Sequence, residues 1–359
     1  MRSVITDVRT PSPRLMGLGT ANPATSYSQE DILRIFGIKD PRVTSLFLNS
    51  HIDRRHLHLP PLDPDGSPRV ETQGELLLKH RTDGIELAAQ ALQSCLKDMG
   101  ADLGEVGYLC CVTSTGMLTP GFSALLIKEL GLPVTCGRLD VVGMGCNAGL
   151  NGLNPTAAWA SSNPGRLAVM ICVEACSAAY VFDGTLRTAV VNGLFGDGAA
   201  AVGVIAADSP AAEGPAVLKF SSRIIPDAVE AMRYDWDEVH GKFSFFIDRD
   251  VPYVVGAHAE EAVANLLRGT GLRRSDITHW IVHSGGKKVI DAVKINLGLA
   301  SYDLRHTSSV LRDYGNLSSG SFLFSYQRLM AEEVARPGDY GVLMTMGPGS
   351  TIETALVQW

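Results

Sequence analysis

The stretch RLDVVGMGCNAGLNG, residues 138–152, predicts a buried apolar strand ending at Val142, a glycine-rich turn, and a helix from Cys146 to Trp159. A cysteine at the start of a helix lies beside unpaired backbone N–H groups and the positive end of the helix dipole, which stabilise a thiolate. Glycines 143, 145 and 149 allow the backbone to approach a ligand closely. Taken alone, such a cysteine is more simply explained as a small buried thiol in a tight turn. Its function therefore depends on residues elsewhere in the chain.

The composition is that of a globular protein with a large core. The chain has 359 residues, of which 45% are hydrophobic, and a net charge of −7, which gives no reason to expect binding to nucleic acid or to a membrane surface. No apolar signal segment precedes the first strand, and the longest apolar runs, such as Leu167–Val173, are too short to span a bilayer. The seven cysteines include no Cys-x-x-Cys pair, so we expect a reducing compartment, the cytoplasm.

Apolar strands alternate with helices along the whole chain, which predicts an α/β protein whose sheet is covered on both faces. A Pro- and Gly-containing break at Asp208–Pro215 divides the chain into two predicted units, residues 1–209 and 210–359. Helices predicted to open at Cys146 and at Asn316 occupy corresponding places in the two units and indicate an internal duplication. The segment His51–His58 is predicted to be a surface strand.

Three polar residues lie at predicted junctions between a strand and a helix: Cys146, His283 and Asn316. Residues at the carboxyl ends of parallel strands project into the crevice where such sheets bind ligands. Individually, the histidine is also explained as a satisfied structural group and the asparagine as a helix cap. Together, they supply a thiolate nucleophile, an imidazole and an amide donor, which is the combination needed for acyl transfer with carbanion chemistry.

Five motifs resemble the type III polyketide synthases, the chalcone synthase family. They are Gly143-Met-Gly-Cys-Asn-Ala-Gly-Leu-Asn-Gly-Leu153, Leu194-Phe-Gly-Asp-Gly-Ala199, His283-Ser-Gly-Gly286, Gly315-Asn-Leu-Ser-Ser319 and Gly347-Pro-Gly-Ser350. Three further stretches resemble one bacterial branch of that family, whose members make 3,5-dihydroxyphenylacetyl-CoA. They are Glu174–Asp183, the variant His-Ser-Gly-Gly-Lys-Lys at 283–288, and Leu311–Ser319.

The resemblance implies a thiolase-like αβαβα layered fold built from two duplicated halves, and a homodimer with its interface near residues 110–150. It implies a decarboxylating acyltransferase that uses malonyl-CoA as both starter and extender, and that cyclises a tetraketide to 3,5-dihydroxyphenylacetyl-CoA. No metal and no organic cofactor is implied, because the CoA thioesters are substrates. A pathway partner protein that assists cyclisation or release is a further expectation.

The resemblance also assigns roles to the three junction residues. Cys146 accepts the starter acyl group from its CoA thioester, and His283 favours the thiolate through an imidazolium–thiolate pair. His283 and Asn316 then donate hydrogen bonds to the malonyl thioester carbonyl and stabilise the enolate that decarboxylation produces.

Further substrate-binding residues follow from the matching positions. Phe195 and Phe245 match two gatekeeper phenylalanines, with Phe243 and Phe246 as alternatives to the second. Small residues match the lining of an elongation cavity, and the glycine motifs contribute others: Cys176, Ala179, Ser318, Gly285, Gly286, Pro348 and Gly349. Thr119 matches the position that reaches across the dimer into the neighbouring pocket.

The sequence departs from the family pattern where basic residues meet the CoA phosphates. Asp53 and Asn49 occupy two such positions, and Arg54 and Arg55 are explained equally well as structural residues. Lys287 and Lys288 replace small apolar residues and could bind the phosphates instead, or could be ordinary surface lysines. The alternative functions are a type III synthase with a resorcinol, pyrone or naphthalene product, a ketoacyl-carrier-protein synthase, and a non-catalytic thiolase-fold partner.

Overall fold

A computed structural model describes residues 11–179, 181, 182, 184–207 and 214–359. The strands are β1 (Pro13–Ala21), β2 (Ser26–Ser28), β3 (Arg54–His56), β4 (Val106–Thr113), β5 (Gly137–Val142), β6 (Leu167–Glu174), β7 (Gly198–Ala206), β8 (Ala216–Ile224), β9 (Met232–Asp237), β10 (Lys242–Ile247), β11 (Ile277–Val282), β12 (Tyr340–Gly347) and β13 (Thr351–Gln358). The helices are α1 (Gln29–Ile35), α2 (Pro41–Leu48), α3 (Gln73–Met99), α4 (Phe122–Leu130), α5 (Ala148–Ser162), α6 (Leu186–Leu194), α7 (Val251–Leu267), α8 (Lys287–Leu297), α9 (Arg305–Tyr314) and α10 (Ser321–Ala331).

The central sheet repeats one strand arrangement twice. Its order is β11-β12-β13-β8-β1-β7-β6-β4-β5. In the first half β4 is parallel to β6, and β6, β7 and β1 follow in antiparallel pairs. In the second half β11 is parallel to β12, and β12, β13 and β8 follow in antiparallel pairs. The halves meet where Arg14 of β1 pairs with Ala216 of β8. The predicted duplication is therefore confirmed in the strand topology.

The layers follow from the alternation of side chains along each strand. In β6, Met170 and Cys172 face a core that contains α5 and α10, whereas Val169 and Ile171 face a second core that contains α3 and α4. In β12, Leu343 faces the first of these cores and its neighbours face a third core, which contains α7 and α8. The order is helices, half-sheet, central helices, half-sheet, helices, which is the αβαβα arrangement expected from the family resemblance.

The first strand of the opening stretch is not buried, contrary to our expectation. β5 is the last strand in the sheet order and pairs only with β4 within the described chain. Val142 is 42% exposed, and Met144 in the following turn is 38% exposed. An apolar sequence therefore marks a strand whose outer edge pairs with no strand among the described residues, and apolarity alone does not distinguish such a strand from a central one.

Two predicted helix starts are displaced along the chain. Cys146 lies in a 3-10 turn, Gly145–Asn147, and α5 begins only at Ala148. The helix predicted to open at Asn316 begins at Ser321, after a 3-10 turn at Ser318–Gly320. The second displacement has a backbone cause, because Gly315 and Ser318 adopt positive φ values of 74° and 46° and interrupt the helical path.

The prediction that residues 51–58 form a surface strand is wrong for Arg55, which is buried. Only Arg54–His56 form a strand, and Arg55 is fully buried. Its guanidinium donates to Asn192 O at 2.7 Å, Phe195 O at 2.8 Å and Gln29 Oε1 at 2.9 Å. Arg55 is thus a structural residue behind the candidate site. None of the described helices is long and apolar enough to cross a membrane.

Candidate active site

The Cys146 turn is formed by glycines and packs against Pro348, near the C-terminal end of the chain. Gly143 and Gly145 adopt φ values of 83° and 70°, which L side chains rarely adopt. A Cβ on Gly145 would lie 2.3 Å from the ring of Pro348, so this contact admits only glycine. Cys146 itself is 7% exposed and lies in the 3-10 turn that precedes α5, in the middle layer of the fold.

The orientation of His283 is set by Ser321. His283 follows β11, and its backbone N–H donates to Met344 O at 2.8 Å. Its Nδ1 contacts the Ser321 hydroxyl, and that hydroxyl donates to Ser318 O at 3.1 Å. Because the hydroxyl has a single proton and gives it to Ser318, it must accept from Nδ1–H. The neutral imidazole therefore carries its proton on Nδ1 and leaves Nε2 free to take one.

Asn316 is held on both sides of its backbone. Its N–H donates to Leu194 O at 2.9 Å, and its carbonyl accepts from Gly196 N at 3.0 Å. Its Oδ1 accepts from the backbone N–H of Ser318 at 2.8 Å. That contact identifies Nδ2, the donor end of the amide, as the group available to a ligand.

Cys146 borders two cavities of the described chain. The smaller, of about 330 Å³, is lined by five further residues of the predicted set: Cys176, Ala179, Ser318, Pro348 and Gly349. The larger, of about 900 Å³, is lined by four others: His283, Asn316, Gly285 and Gly286. Cys146, Phe195 and Phe245 line both cavities. The fold thus brings together twelve of the thirteen predicted site residues.

The two cavities meet at a pair of aromatic rings. The ring centroids of Phe195 and Phe245 lie 6.0 Å apart in an edge-to-face arrangement. Of the two alternatives to Phe245, Phe246 lines only the larger cavity, and Phe243 is largely exposed and packs on Trp236. Of the three candidates, Phe245 is the one that lines both cavities, and its role as a gatekeeper stays a prediction.

Thr119 is the residue of the predicted set that the fold does not bring to the site. It is exposed and lines neither cavity of its own chain. The interpretation that it reaches a neighbouring subunit stays a prediction. Asp53 also lies outside both cavities, 3.9 Å from Arg312, whereas Asn49 lines the larger one.

Burial favours the neutral forms of both Cys146 and His283. Burial raises the pKa of the Cys146 thiol to about 12, and a hydrogen bond from Ser318 Oγ, at 3.4 Å, opposes the shift. Burial lowers the pKa of His283 to about 3. The expected imidazolium–thiolate pair therefore requires the mutual attraction of the two charges and the N terminus of α5 to overcome desolvation.

Sequence reasoning missed a buried carboxyl group near the nucleophile. Glu174 ends β6 and accepts hydrogen bonds from Ser114 N and Oγ, both at 3.0 Å, and from Ser319 N at 3.3 Å and Oγ. Ser114 Oγ lies 2.7 Å from Ser318 Oγ, and Ser318 Oγ contacts the Cys146 sulfur, so two hydroxyls lie between Glu174 and Cys146. Burial raises the pKa of Glu174 to about 7, against these hydrogen bonds. The sequence signal that could have found it is one acidic residue, Glu174, at the end of an otherwise apolar run.

Other cavity-lining residues also had no motif to mark them. Met232, Arg233 and Tyr234 of β9 line the smaller cavity. Arg187 and Arg249 line the larger cavity together with Lys287 and Lys288. Among the described residues, no group of three or more His, Cys, Asp or Glu side chains is arranged to hold a metal ion.

Comparison with known proteins identifies the class. Residues 9–209 match the N-terminal domain of the chalcone and stilbene synthases, and residues 218–359 match the C-terminal domain. The chain therefore belongs to the chalcone and stilbene synthase family, a class of type III polyketide synthases with a thiolase-like fold.

Within that family, the chain is similar to a particular group of bacterial enzymes. It is 65% identical to the 3,5-dihydroxyphenylacetyl-CoA synthase of Streptomyces toyocaensis, over 97% of this chain and 90% of that protein. It is 63% identical to the enzyme of the same name from Amycolatopsis orientalis, over 96% and 93%. The crystal structure of PKS-I from the brown alga Ectocarpus siliculosus superimposes with a TM-score of 0.91 at 25% identity, covering 98% of this chain and 99% of that one.

Proposed function

We propose that this protein condenses malonyl-CoA units by decarboxylative Claisen condensation and cyclises the tetraketide to 3,5-dihydroxyphenylacetyl-CoA. The observation that carries the proposal is the position of Cys146, which borders a cavity with His283 and Asn316 and a second cavity lined by small residues. A thioester entering the first cavity meets the nucleophile and the two donors, and the growing chain has the second cavity to occupy. The 65% identity to a synthase of that name supports the choice of product.

Loading begins with transfer of the Cys146 proton to Nε2 of His283, the nitrogen that the Ser321 contact leaves free. The thiolate attacks the thioester carbonyl, and the tetrahedral intermediate collapses with loss of the CoA thiolate, which takes up a proton from solvent. The acyl group is then bound to the Cys146 sulfur. The imidazolium that remains carries Nε2–H and can donate a hydrogen bond.

Extension needs no base that removes an α-proton. The malonyl thioester loses carbon dioxide, and its electron pair becomes an enolate whose oxygen accepts from His283 Nε2–H and Asn316 Nδ2–H. The enolate carbon attacks the acyl carbonyl on Cys146, the Cys146 sulfur leaves, and the chain grows by one ketide unit. Decarboxylation releases one carbon dioxide, and transfer of the lengthened chain from CoA back to the Cys146 thiolate releases one CoA and prepares the next extension. No metal or organic cofactor enters this sequence of steps.

The mouth of the larger cavity supports a CoA substrate. Lys287 and Lys288 begin α8; Lys287 pairs with Asp291 one helical turn further on, and Lys288 is exposed. Cations at this position are unfavourable by themselves, because the N terminus of a helix carries a partial positive charge. A bound phosphate is stabilised both by the lysines and by the helix N terminus. Arg187 and Arg249 line the same cavity. We assign the CoA phosphates to this basic wall, because the positions that are usually basic in the family hold Asn49 and Asp53 in this sequence.

We further propose that the protein is a cytoplasmic homodimer. Each subunit comprises the two units 1–209 and 210–359. The open edge of β5, with Val142 and Met144 exposed, supports an interface near residues 110–150, and the seven free cysteines favour a reducing compartment. Sedimentation equilibrium tests the oligomer, and a monomer at micromolar concentration would contradict it. A pathway partner that speeds release is expected to raise turnover when added to the purified enzyme.

The deciding experiment incubates purified protein with malonyl-CoA alone and analyses the products by mass spectrometry, with Cys146→Ala as control. We expect 3,5-dihydroxyphenylacetyl-CoA from the wild type and none from the variant. Pyrone, resorcinol or naphthalene products would instead identify a family member of different specificity. Activity only with malonyl groups on a carrier protein would identify a ketoacyl-carrier-protein synthase, and no product with any thioester would identify a non-catalytic partner.

A further inference from the structure

A chain of polar side chains joins the second half of the molecule to the Cys146 turn. Asn147, which follows the nucleophile, donates from Nδ2 to Asn151 Oδ1 at 3.0 Å, one helical turn further along α5. Asn151 also faces Glu353 on β13: burial raises the pKa of that carboxyl group, and side-chain hydrogen bonds from Ser222 and Asn151 oppose the shift. Ser222 Oγ on β8 donates to Glu353 Oε1 at 2.7 Å. We call Glu353, Asn151 and Asn147 the relay.

The carboxylate of Glu353 fixes which end of each amide side chain in the relay donates and which end accepts. An ionised carboxylate only accepts hydrogen bonds, so Asn151 must turn its NH₂ group toward Glu353 and its Oδ1 toward Asn147. Asn147 must then turn Nδ2 toward Asn151. Its own Oδ1 is left buried without a hydrogen-bond partner in the described part of the chain. Such an unsatisfied acceptor persists where surrounding contacts hold the group in place.

Strand β12 supplies those surrounding contacts. Thr345 Oγ1 donates to the backbone carbonyl of Asn147 at 3.3 Å. A Cβ on Gly347 would lie 2.4 Å from Asn147 Oδ1 and 2.9 Å from Cys146 N, so the β12 backbone packs directly on the turn. The carbonyl of Met344, the residue before Thr345, accepts from His283 N at 2.8 Å. Three residues of β12 thus contact this part of the site: Met344 contacts His283, and Thr345 and Gly347 contact the Cys146 turn.

We propose that Glu353, Asn151 and Thr345 are positioning residues that hold the Cys146 turn in register with His283 and thereby set the reactivity of the thiol. None of the three lines either cavity, so they touch no substrate. They act through Asn147 and through the backbone of the turn. The inference takes Cys146 and His283 as the reacting pair and in that respect rests on the proposed function.

Two variants test the inference with two readouts. Asn151→Ala breaks the relay, and Thr345→Val removes a donor at nearly constant shape. We expect each to lower kcat with malonyl-CoA by about 10- to 100-fold while KM stays within about twofold, because a small misplacement of reacting groups costs this much. The second readout is alkylation of Cys146 by iodoacetamide as a function of pH. We expect the wild type to react near neutral pH through the ion pair and both variants to react only at alkaline pH.

Matched controls separate positioning from stability. Thr345→Ser keeps the hydroxyl and should restore both readouts. Asn163→Ala removes a hydrogen bond of 2.9 Å to Trp159 O at the other end of α5 and should change neither. If Asn151→Ala does not fold, Glu353→Gln keeps the side-chain shape and one acceptor oxygen and should shift the alkylation profile in the same direction, by less.

The overturning result is a folded Asn151→Ala or Thr345→Val protein with the wild-type kcat and alkylation profile, even if its melting temperature has fallen. The alkylation readout needs no CoA substrate. A wild type that alkylates selectively at Cys146 but does not consume malonyl-CoA would therefore contradict the proposed function and still decide the positioning inference.

Discussion

Ser318 donates a hydrogen bond to the sulfur of Cys146 at 3.4 Å, across 172 residues of sequence. Ser318 adopts a φ of 46°, a conformation that costs a non-glycine residue about 1–2 kcal/mol and that surrounding contacts must maintain. The hydroxyl opposes the burial that raises the pKa of the thiol. A strained backbone position in the second half of the chain thus places a hydroxyl that stabilises the thiolate of a nucleophile in the first half.

Ser318→Ala is expected to slow alkylation of Cys146. Without the hydrogen bond to the charged form, the pKa of the thiol rises further, and the thiolate fraction at a given pH falls about tenfold per unit of pKa. Ser318→Gly lacks the same hydroxyl but relieves the positive φ. Equal losses in the two variants would confirm the hydrogen bond as the cause, and a loss in Ser318→Ala alone would assign the effect to backbone strain. Peptide mass spectrometry of iodoacetamide-treated protein measures both.

Glu174→Gln is expected to remove part of the pH dependence of stability. Burial raises the pKa of Glu174 from 4.5 to about 7, so the folded state binds its proton more tightly than the unfolded state. The resulting stabilisation is fully present below the unfolded pKa and is lost as pH rises through about 7. The wild type should therefore lose stability relative to Glu174→Gln between pH 5 and pH 8, about one to several kcal/mol. Urea unfolding at both pH values measures this, and parallel pH profiles would contradict it.

Lys288→Glu is expected to raise the KM for malonyl-CoA by about tenfold with kcat nearly unchanged, because a charge-assisted hydrogen bond is worth about 1.5–3 kcal/mol. The exposed Lys39, which lines neither cavity, provides a control of equal charge change in Lys39→Glu. Steady-state kinetics at two salt concentrations should show the difference shrinking as salt rises. An equal rise in KM in both variants would mean that the net charge of the protein, and not a contact between Lys288 and a phosphate, causes the effect.

Tyr234→Ala is expected to change the products. The Tyr234 hydroxyl donates to Ser114 O at 3.3 Å, and its ring centroid lies 5.0 Å from that of Phe245, so the side chain closes one side of the smaller cavity. Removing it should admit longer or differently folded chains, seen as new masses beside or in place of the wild-type product. Tyr234→Phe keeps the ring and should keep the wild-type products. An unchanged profile for Tyr234→Ala would show that this wall does not select chain length.

Arg55→Ala is expected to destabilise the fold by about 3 kcal/mol or more, because it leaves buried acceptors unpaired and a void in the core. The neighbouring Arg54→Ala should change the free energy of unfolding by less than about 0.5 kcal/mol, since Arg54 is exposed. Denaturant titration compares the two. Similar losses would mean that the strand, and not the buried guanidinium, carries the stability.

Much of the fold and of the candidate site could be predicted because both leave local patterns. Strands such as β6, buried on both faces, read as continuous apolar runs. Cys146, His283 and Asn316 stand beside glycine turns at the junctions where ligands bind in such folds. Contacts between distant segments leave no such pattern. The burial of Arg55, the bonds from Ser114 and Ser319 to Glu174, and the basic wall at Arg187 and Arg249 all depend on what the fold brings alongside.

The sequence by itself determined the layered α/β architecture, the family and the identity of the three junction residues, because short motifs and apolar periodicity are properties of neighbouring residues. The tertiary structure decided that Phe245 borders both cavities, that β5 is an edge strand, and that burial favours the neutral forms of Cys146 and His283. These properties depend on distance and on desolvation. Both are set by segments far apart in the chain that packing brings together.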